Sequence, residues 1–212
     1  MKLTREQAAD NRQRIIETAS RLFRKHGFGG VGLADLMKAA GFTHGGFYNH
    51  FPSKEALAAE AASLGLNYSS SKLSHTLMDE RKTGRSGLAT FIERYLSSEH
   101  RDGRETGCTI SALACDAARE SDEIQQRFAQ GIEEELMIFA SYLAKGSDAS
   151  PLSARARAIR LLAESVGAII LARAVARGNP SLSEEILQTS RRDLAKKPTI
   201  EPPRLRKKRG PK

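Results

Sequence analysis

Between Leu33 and Lys54 the chain reads LADLMKAAGFTHGGFYNHFPSK, and this stretch limits its possible folds more than any other. Leu33, Leu36 and Met37 recur at helical spacing, and Ala39 and Ala40 keep the segment thin enough for close packing. Gly41 ends that short helix, because the turn that follows needs a residue free to take positive φ. Phe42 reads as a buried wedge, and Thr43 as an N-cap whose hydroxyl opens a second helix with His44, Gly45 and Gly46 on its first turn. Phe47 faces inward, Tyr48 outward, and Phe51 plugs the far end. Pro52 stops this helix and Ser53 caps another that begins at Lys54. Two short helices about a glycine turn make a helix-turn-helix, whose second helix presents its N-terminal residues to base edges in the major groove.

Residues Gly41-Phe42-Thr43-His44-Gly45-Gly46-Phe47-Tyr48-Asn49-His50-Phe51-Pro52-Ser53-Lys54 resemble the G-V-T-x-G-x-x-Y-x-H-F-x-x-K pattern of the tetracycline-repressor (TetR/AcrR) family of bacterial transcription regulators. Upstream, Ile15, Ile16, Ala19, Leu22, Phe23 and Gly27 are similar to that family's first helix and its stop. The motif-level resemblance spans residues 11 to 62, and the remainder matches in length and helical pattern. It implies an all-α chain: an N-terminal three-helix helix-turn-helix DNA-binding domain over residues 1–53, then a C-terminal helical ligand-binding and dimerisation domain over 54–194. A basic tail over 195–212 is expected to be disordered. The implied function is a ligand-responsive transcriptional regulator, a repressor that binds a palindromic operator as a homodimer and answers to a small-molecule effector. Its DNA-contacting residues would be Thr43, His44, Gly45, Gly46, Tyr48, His50 and Lys54.

Two positions depart from the pattern besides Phe42, which replaces a small aliphatic residue. His44 stands where relatives often carry lysine, and Gly46 adds a second glycine to the recognition helix. Each glycine lowers helix propensity by about 1 kcal/mol relative to alanine, so this helix is expected to be loose until DNA orders it. Tyr48 and Lys54 suit phosphate contacts that set register without reading sequence; the alternatives are a packing tyrosine and an ordinary surface charge. His50 either contacts phosphate or caps the helix C-terminus through its ring. Arg12 and Arg14 either approach the DNA backbone from helix one or lie on a solvated face.

The net charge of +9 is unevenly placed. Residues 1–54 carry +5, residues 55–194 carry −3, and residues 195–212 carry +7. A basic head and tail around a mildly acidic middle suit attraction of nucleic-acid phosphate by the two ends. The other reading of the tail is a solvated segment with no partner. The two cysteines, Cys108 and Cys115, would lie about 10.5 Å apart along one helix, too far for a disulfide. The N-terminus lacks an apolar signal-peptide core, and no stretch of about 20 apolar residues could span a bilayer. A cytoplasmic protein with no membrane partner is expected.

Beyond the motif the pattern is helical throughout. Thr4 and Gln7 fit a capping box on an N-terminal arm, with helix one expected from Asn11 to His26. The alanine-rich helix from Lys54 links head to body, and its continuation from Tyr68 to Lys82 either stays helical or frays. Helices follow around Leu88–Leu96 and Cys108–Ala118, separated by a polar loop from His100 to Gly107. Ser121 is expected to cap a long helix from Asp122 to Leu143, on which Glu133, Glu134 and Glu135 read as a solvated face. Ser150-Pro151 opens a strongly apolar helix to Ala176, and Ser181 with Glu184 suggests a capping box for the last. Excess apolar surface on these two terminal helices suggests half of a dimer interface; packing within one chain is the alternative.

Nothing in the sequence suggests catalysis. The five histidines form no ligand spacing for zinc, and the Gly45-Gly46 pair lacks the context of a phosphate loop; no catalytic residue, metal or cofactor is expected. Cys108 after Gly107 could have its thiol activated by a helix N-terminus, or be a small buried hydrophobe. With Phe91, Tyr95, Phe128, Met137, Phe139 and Tyr142 it forms the set expected to line a ligand cavity, a plain core being the other reading. Two other functional classes stay open: a non-specific architectural DNA binder driven by the basic ends, and an enzyme with a pocket in the body.

Overall fold

The structure, a computed structural model, describes residues 4–78, 86–144 and 151–196. The segment around Gly84, the loop at 145–150 with its expected Ser150 cap, and the tail from residue 197 lie outside the described residues. All elements among the described residues are helical. Helix α1 (Arg5–His26) is one unbroken helix, so the separate arm expected before Asn11 is corrected. The reason is local: Thr4 Oγ1 accepts the Gln7 amide at 3.1 Å while Gln7 Oε1 accepts the Thr4 amide at 2.9 Å, and no glycine or proline intervenes before Gly27. This reciprocal box sets the first turn at Arg5.

Helix α2 (Leu33–Ala40) ends at Gly41, whose φ of 85° is left-handed. The Gly41 amide reaches Lys38 O at 3.1 Å and the Phe42 amide reaches Met37 O at 2.8 Å. That pair of bonds is a Schellman closure, which only a residue without a Cβ penalty forms cheaply. A 3-10 helix (His44–Asn49) follows. Beneath it Phe47 and Phe51, with ring centroids 5.6 Å apart, are buried with Phe23, Leu36 and Met37. Each such side chain contributes about 1.5–3 kcal/mol through burial.

Helix α3 (Lys54–Met78) is the spine. Ser53 Oγ accepts the Ala56 amide at 3.1 Å, the expected cap. The helix continues through the serine-rich segment to Met78, with Ser70, Leu73 and Leu77 buried. It packs on α1 at one end and on α4 (Gly87–Tyr95) and α7 (Asp122–Ala144) at the other. At Gly65 an added Cβ would lie 2.5 Å from Thr109 Oγ1, 2.7 Å from Arg24 Nη1 and 3.0 Å from Ser20 Oγ. This glycine lets α1 and α6 (Thr109–Ala117) meet on the spine.

Between α4 and α6 the expected polar loop contains a short helix, α5 (Ser98–Asp102), capped by Ser97. Two arginines hold it from behind. Arg173 on α8 (Pro151–Val175) donates to Arg101 O and His100 O, each at 2.9 Å, and to Ser111 O at 3.1 Å. Arg191 on α9 (Pro180–Ala195) donates to Leu96 O at 2.9 Å. Two capping expectations are corrected. Asn179, not Ser181, caps α9, accepting the Leu182 amide at 3.0 Å; the following proline suits the first helical position, where no amide is needed. Ser121 offers only its carbonyl to the Gln125 amide, and its hydroxyl is buried without a partner.

Helix α8 does not bury its apolar side chains evenly. Leu162 and Ile169 are buried, whereas Leu171 is 59% and Ile159 47% exposed. The Glu133–Glu135 run divides as well. Glu133 makes a two-pronged pair with Arg155, both contacts at 2.7 Å. Glu135 is buried, which corrects its reading as part of a solvated face.

Candidate nucleic-acid interface and body cavity

The outer surface of the head is set by what its second helix lacks. Without Cβ atoms at Gly45 and Gly46 the α-helical form has little intrinsic support. The segment is a 3-10 turn instead, with the Gly46 amide on Thr43 O at 3.1 Å and the His50 amide on Phe47 O at 2.9 Å. Thr43 occupies the N-cap position, but its hydroxyl makes no capping bond, correcting that expectation. His44, Gly45 and Asn49 are exposed. Tyr48 is 66% exposed, its ring edge-on to Phe47 at 5.2 Å. The phenol is thus held from below and open outward.

His50 closes the turn through its backbone amide rather than its ring, which lies 6.4 Å from Phe42 and 6.5 Å from Phe51. Phe42 is half-buried, not a sealed wedge, with the Arg14 guanidinium 5.1 Å from its centroid. Lys54, expected to contact phosphate, is half-buried and turned toward the protein. Its ammonium donates to Phe28 O at 2.8 Å and lies 5.9 Å from the Phe23 ring, tying α3 to the end of α1. Arg12 is likewise engaged, with Glu60 at 2.5 Å and over the Phe51 ring at 4.6 Å. Arg14 reaches Ala40 O at 3.3 Å.

In the body, α3, α4, α5, the 103–108 segment and α7 surround a cavity of about 550 Å³. Phe91, Tyr95 and Cys108 line it as expected from sequence; Tyr68, Leu73, His100 and Glu135 line it too. The other four expected residues do not. Phe128 and Phe139 are core, Phe139 packing edge-on against Phe91 at 5.1 Å. Met137 is 53% exposed on the opposite side of its helix, and the Tyr142 hydroxyl meets the Leu88 amide at 3.4 Å. Helical phase explains both sets. Glu135 lies seven residues after Phe128 and four before Phe139, on the buried stripe, so the sequence carried the signal although its charge argued otherwise.

His100 closes one wall. Its Nδ1 lies 2.6 Å from Tyr95 O, and its Nε2 accepts the Cys108 amide at 3.0 Å. A carbonyl can only accept and an amide can only donate, so the ring is neutral with its proton on Nδ1. Burial lowers its pKa to about 4, with Arg173 and Lys72 acting in the same direction. The Cys108 thiol is pushed up to about 11, chiefly by burial and further by Glu135. The activated-thiolate reading of Cys108 is thereby corrected: desolvation outweighs the helix N-terminus. Burial also raises Tyr95 well above its ordinary value, and its hydroxyl has no hydrogen-bond partner of ordinary geometry. Glu135 is raised to about 8 by burial and by neighbouring Glu134.

The cavity wall is wired to the head. Glu105 O accepts from Arg24 Nε at 3.0 Å and Nη2 at 2.8 Å, while Arg24 Nη1 donates to Ser20 at 2.7 Å. The Glu105 carboxylate faces Arg21 at 3.4 Å and Lys25 at 3.5 Å. Asp116 on α6 accepts the Phe28 amide at 3.2 Å. No helix among the described residues is long and apolar enough to cross a membrane. No group of three or more metal-ligating side chains is assembled among them.

A helix-turn-helix head packed on an all-helical body defines a class, the DNA-binding regulators of transcription. Residues 15–61 match the model of the bacterial regulatory proteins of the tetR family, and residues 85–181 match that of the LmrA/YxaF-like transcriptional regulator C-terminal domain. The chain belongs to the TetR family of transcriptional regulators.

Among its relatives, the HTH-type transcriptional repressor NemR of Escherichia coli strain K12 is 28% identical over 128 residues, covering 58% of this chain and 63% of NemR. The HTH-type transcriptional regulator YxaF of Bacillus subtilis strain 168 is 31% identical over 120 residues, covering 55% of this chain and 61% of YxaF. The matched part thus spans less than two thirds of these relatives. The crystal structure of reduced E. coli NemR superposes with a TM-score of 0.71 at 22% identity, covering 88% of this chain and 95% of that one. A TetR-family regulator from Cytophaga hutchinsonii gives 0.70 at 22%, covering 92% and 97%. Likeness at this identity establishes the fold.

Proposed function

We propose that the chain is a homodimeric, ligand-responsive repressor whose residues 1–53 bind an approximately palindromic operator and whose residues 54–194 dimerise and hold the effector. The observation that carries this reading is the surface of the 3-10 turn: His44 and Tyr48 project outward from a turn held in place by buried Phe47 and Phe51. In the major groove His44 would meet base edges and Tyr48 a phosphate oxygen. Thr43 and His50 flank them, and the two glycines let the backbone approach the DNA closely. Lys54 contributes by holding the head together.

The exposed Leu171 and Ile159 on α8 are the surface offered to a second copy. Two such protomers would set recognition turns about 34 Å apart, one helical turn of DNA. The cavity would act through the 103–108 segment, whose bonds to Arg24 make its position a matter for α1. A ligand shifts DNA affinity only as far as it favours one of two head placements over the other.

The test is a gel-shift titration against the operator and against scrambled duplex. Tyr48→Ala should weaken both alike, His44→Ala should reduce the preference between them, and Leu171→Glu should yield monomers in ultracentrifugation together with weakened operator binding. Equal affinity for the two duplexes in the parent protein, with a steep salt dependence, would replace this reading by a non-specific architectural binder.

A further inference from the structure

Glu135 is 4% exposed, lines the cavity, and has no hydrogen bond or ion pair with any described residue. A buried carboxyl with no partner costs folding free energy, and its presence in a cavity large enough for a ligand calls for a ligand that supplies the partner. The groups facing the cavity from each surrounding element narrow the choice. From α3 comes Lys72, exposed at the mouth; from α4 come Glu93 and Arg94, also exposed. On α5, Glu99 is exposed and His100 is neutral, while Cys108 is a protonated thiol. Arg173 and Arg24, half-buried near this wall, are spent on backbone carbonyls.

Among the described residues the interior therefore offers one carboxyl and no available cation, on a wall shared with the rings of Phe91 and Tyr95, which pack on each other with centroids 5.0 Å apart. An apolar neutral ligand would leave that carboxyl unpaired, and an anionic one would hold it protonated with no interior cation to answer its own charge. A cation satisfies it, and aromatic walls favour the same charge.

We propose that the cavity binds a hydrophobic organic cation, an ammonium carried on an aromatic body, with Glu135 as its counter-ion and Phe91 and Tyr95 as its walls. The proposal rests on the reading of this cavity as the effector site. Pairing favours the ionised carboxylate, so entry of the cation at neutral pH releases a proton from Glu135 to solvent.

The experiment uses three probes that share one ring system and differ in head group: 1-naphthylmethylamine, 1-naphthylmethanol and 1-naphthoate. Each is titrated calorimetrically into the full chain and into Glu135→Gln at pH 7.5, in two buffers of different ionisation enthalpy. The amine is expected to bind at least about tenfold more tightly than the other two. That preference should vanish in Glu135→Gln, and in the parent the apparent enthalpy should vary with buffer in the sense of proton release. A preference below tenfold, or one that survives in Glu135→Gln, overturns the cation proposal while leaving the cavity a ligand site. Binding of none of the three overturns the effector-site reading, and the cation proposal with it.

Discussion

Replacing Glu135 with glutamine should make this protein more stable, by an amount that grows as pH rises from about 4.5 to 8. In the folded state the carboxyl is raised from 4.5 to about 8. A group whose folded pKa is raised contributes stability that is complete below its unfolded pKa and lost as pH rises through the folded one. The window therefore runs from pH 4.5 to 8. At about 1.4 kcal/mol per tenfold in proton affinity, suppressing ionisation costs about 3 kcal/mol at pH 7 and about 5 kcal/mol above pH 8.

Water entering the cavity reduces both figures, so a gain of about 2–3 kcal/mol at pH 8 is the expected size. For a chain of this length that is a rise in Tm of roughly 4–12 °C. Glutamine keeps the shape and removes the charge, so at pH 4.5 the two proteins should melt within a degree or two of each other. The assay is thermal unfolding of parent and variant at both pH values and at one fixed protein concentration, since any association of subunits shifts Tm. Equal stability at pH 8, or the same gain at both values, would refute the account of Glu135 as an unpaired buried acid. A residue that weakens the fold while lining a cavity is the signature of a functional group rather than a packing one.

His100 titrates in the opposite sense. Its folded pKa of about 4 lies below the ordinary 6.5, so its contribution is present above pH 6.5 and lost as pH falls toward 4. Between pH 7 and 5 the parent should lose about 2 kcal/mol relative to His100→Gln in urea unfolding, and a parallel pH dependence would contradict the neutral state assigned to the buried ring. Gly65→Ala drives a methyl into Thr109, Arg24 and Ser20 and should cost about 1–3 kcal/mol, read as a lower urea midpoint. An unchanged midpoint would mean the notch between α1, α3 and α6 relaxes freely. Deleting residues 197–212, which carry much of the basic charge, should flatten the salt dependence of DNA affinity while leaving operator choice intact. An unchanged slope would make the tail a bystander.

The helix-turn-helix was legible in the sequence because its determinants are local. Gly41 must turn left-handed, Ser53 must cap, and Phe47 and Phe51 must face inward at helical spacing; each effect acts within a few residues along the chain. The same locality made the Thr4–Gln7 box visible and, through Gly45 and Gly46, the weakness of the recognition helix. Where two local signals competed, as at Asn179-Pro180 against Ser181–Glu184, the proline's preset φ decided and the serine lost.

Tertiary structure alone decided the rest. Lys54 bonds to Phe28 O, 26 residues earlier in the chain. Arg24 reaches Glu105 O and Arg173 reaches His100 O, partners far apart in sequence and not predictable from it. Helical phase put Glu135 on the buried stripe, but a run of three glutamates reads as solvated until neighbouring helices close over one of them. The thiol of Cys108 likewise follows its burial rather than its position at a helix start. Periodicity along a chain tells which face of a helix turns inward, whereas desolvation and charge pairing depend on what the other helices bring to that face.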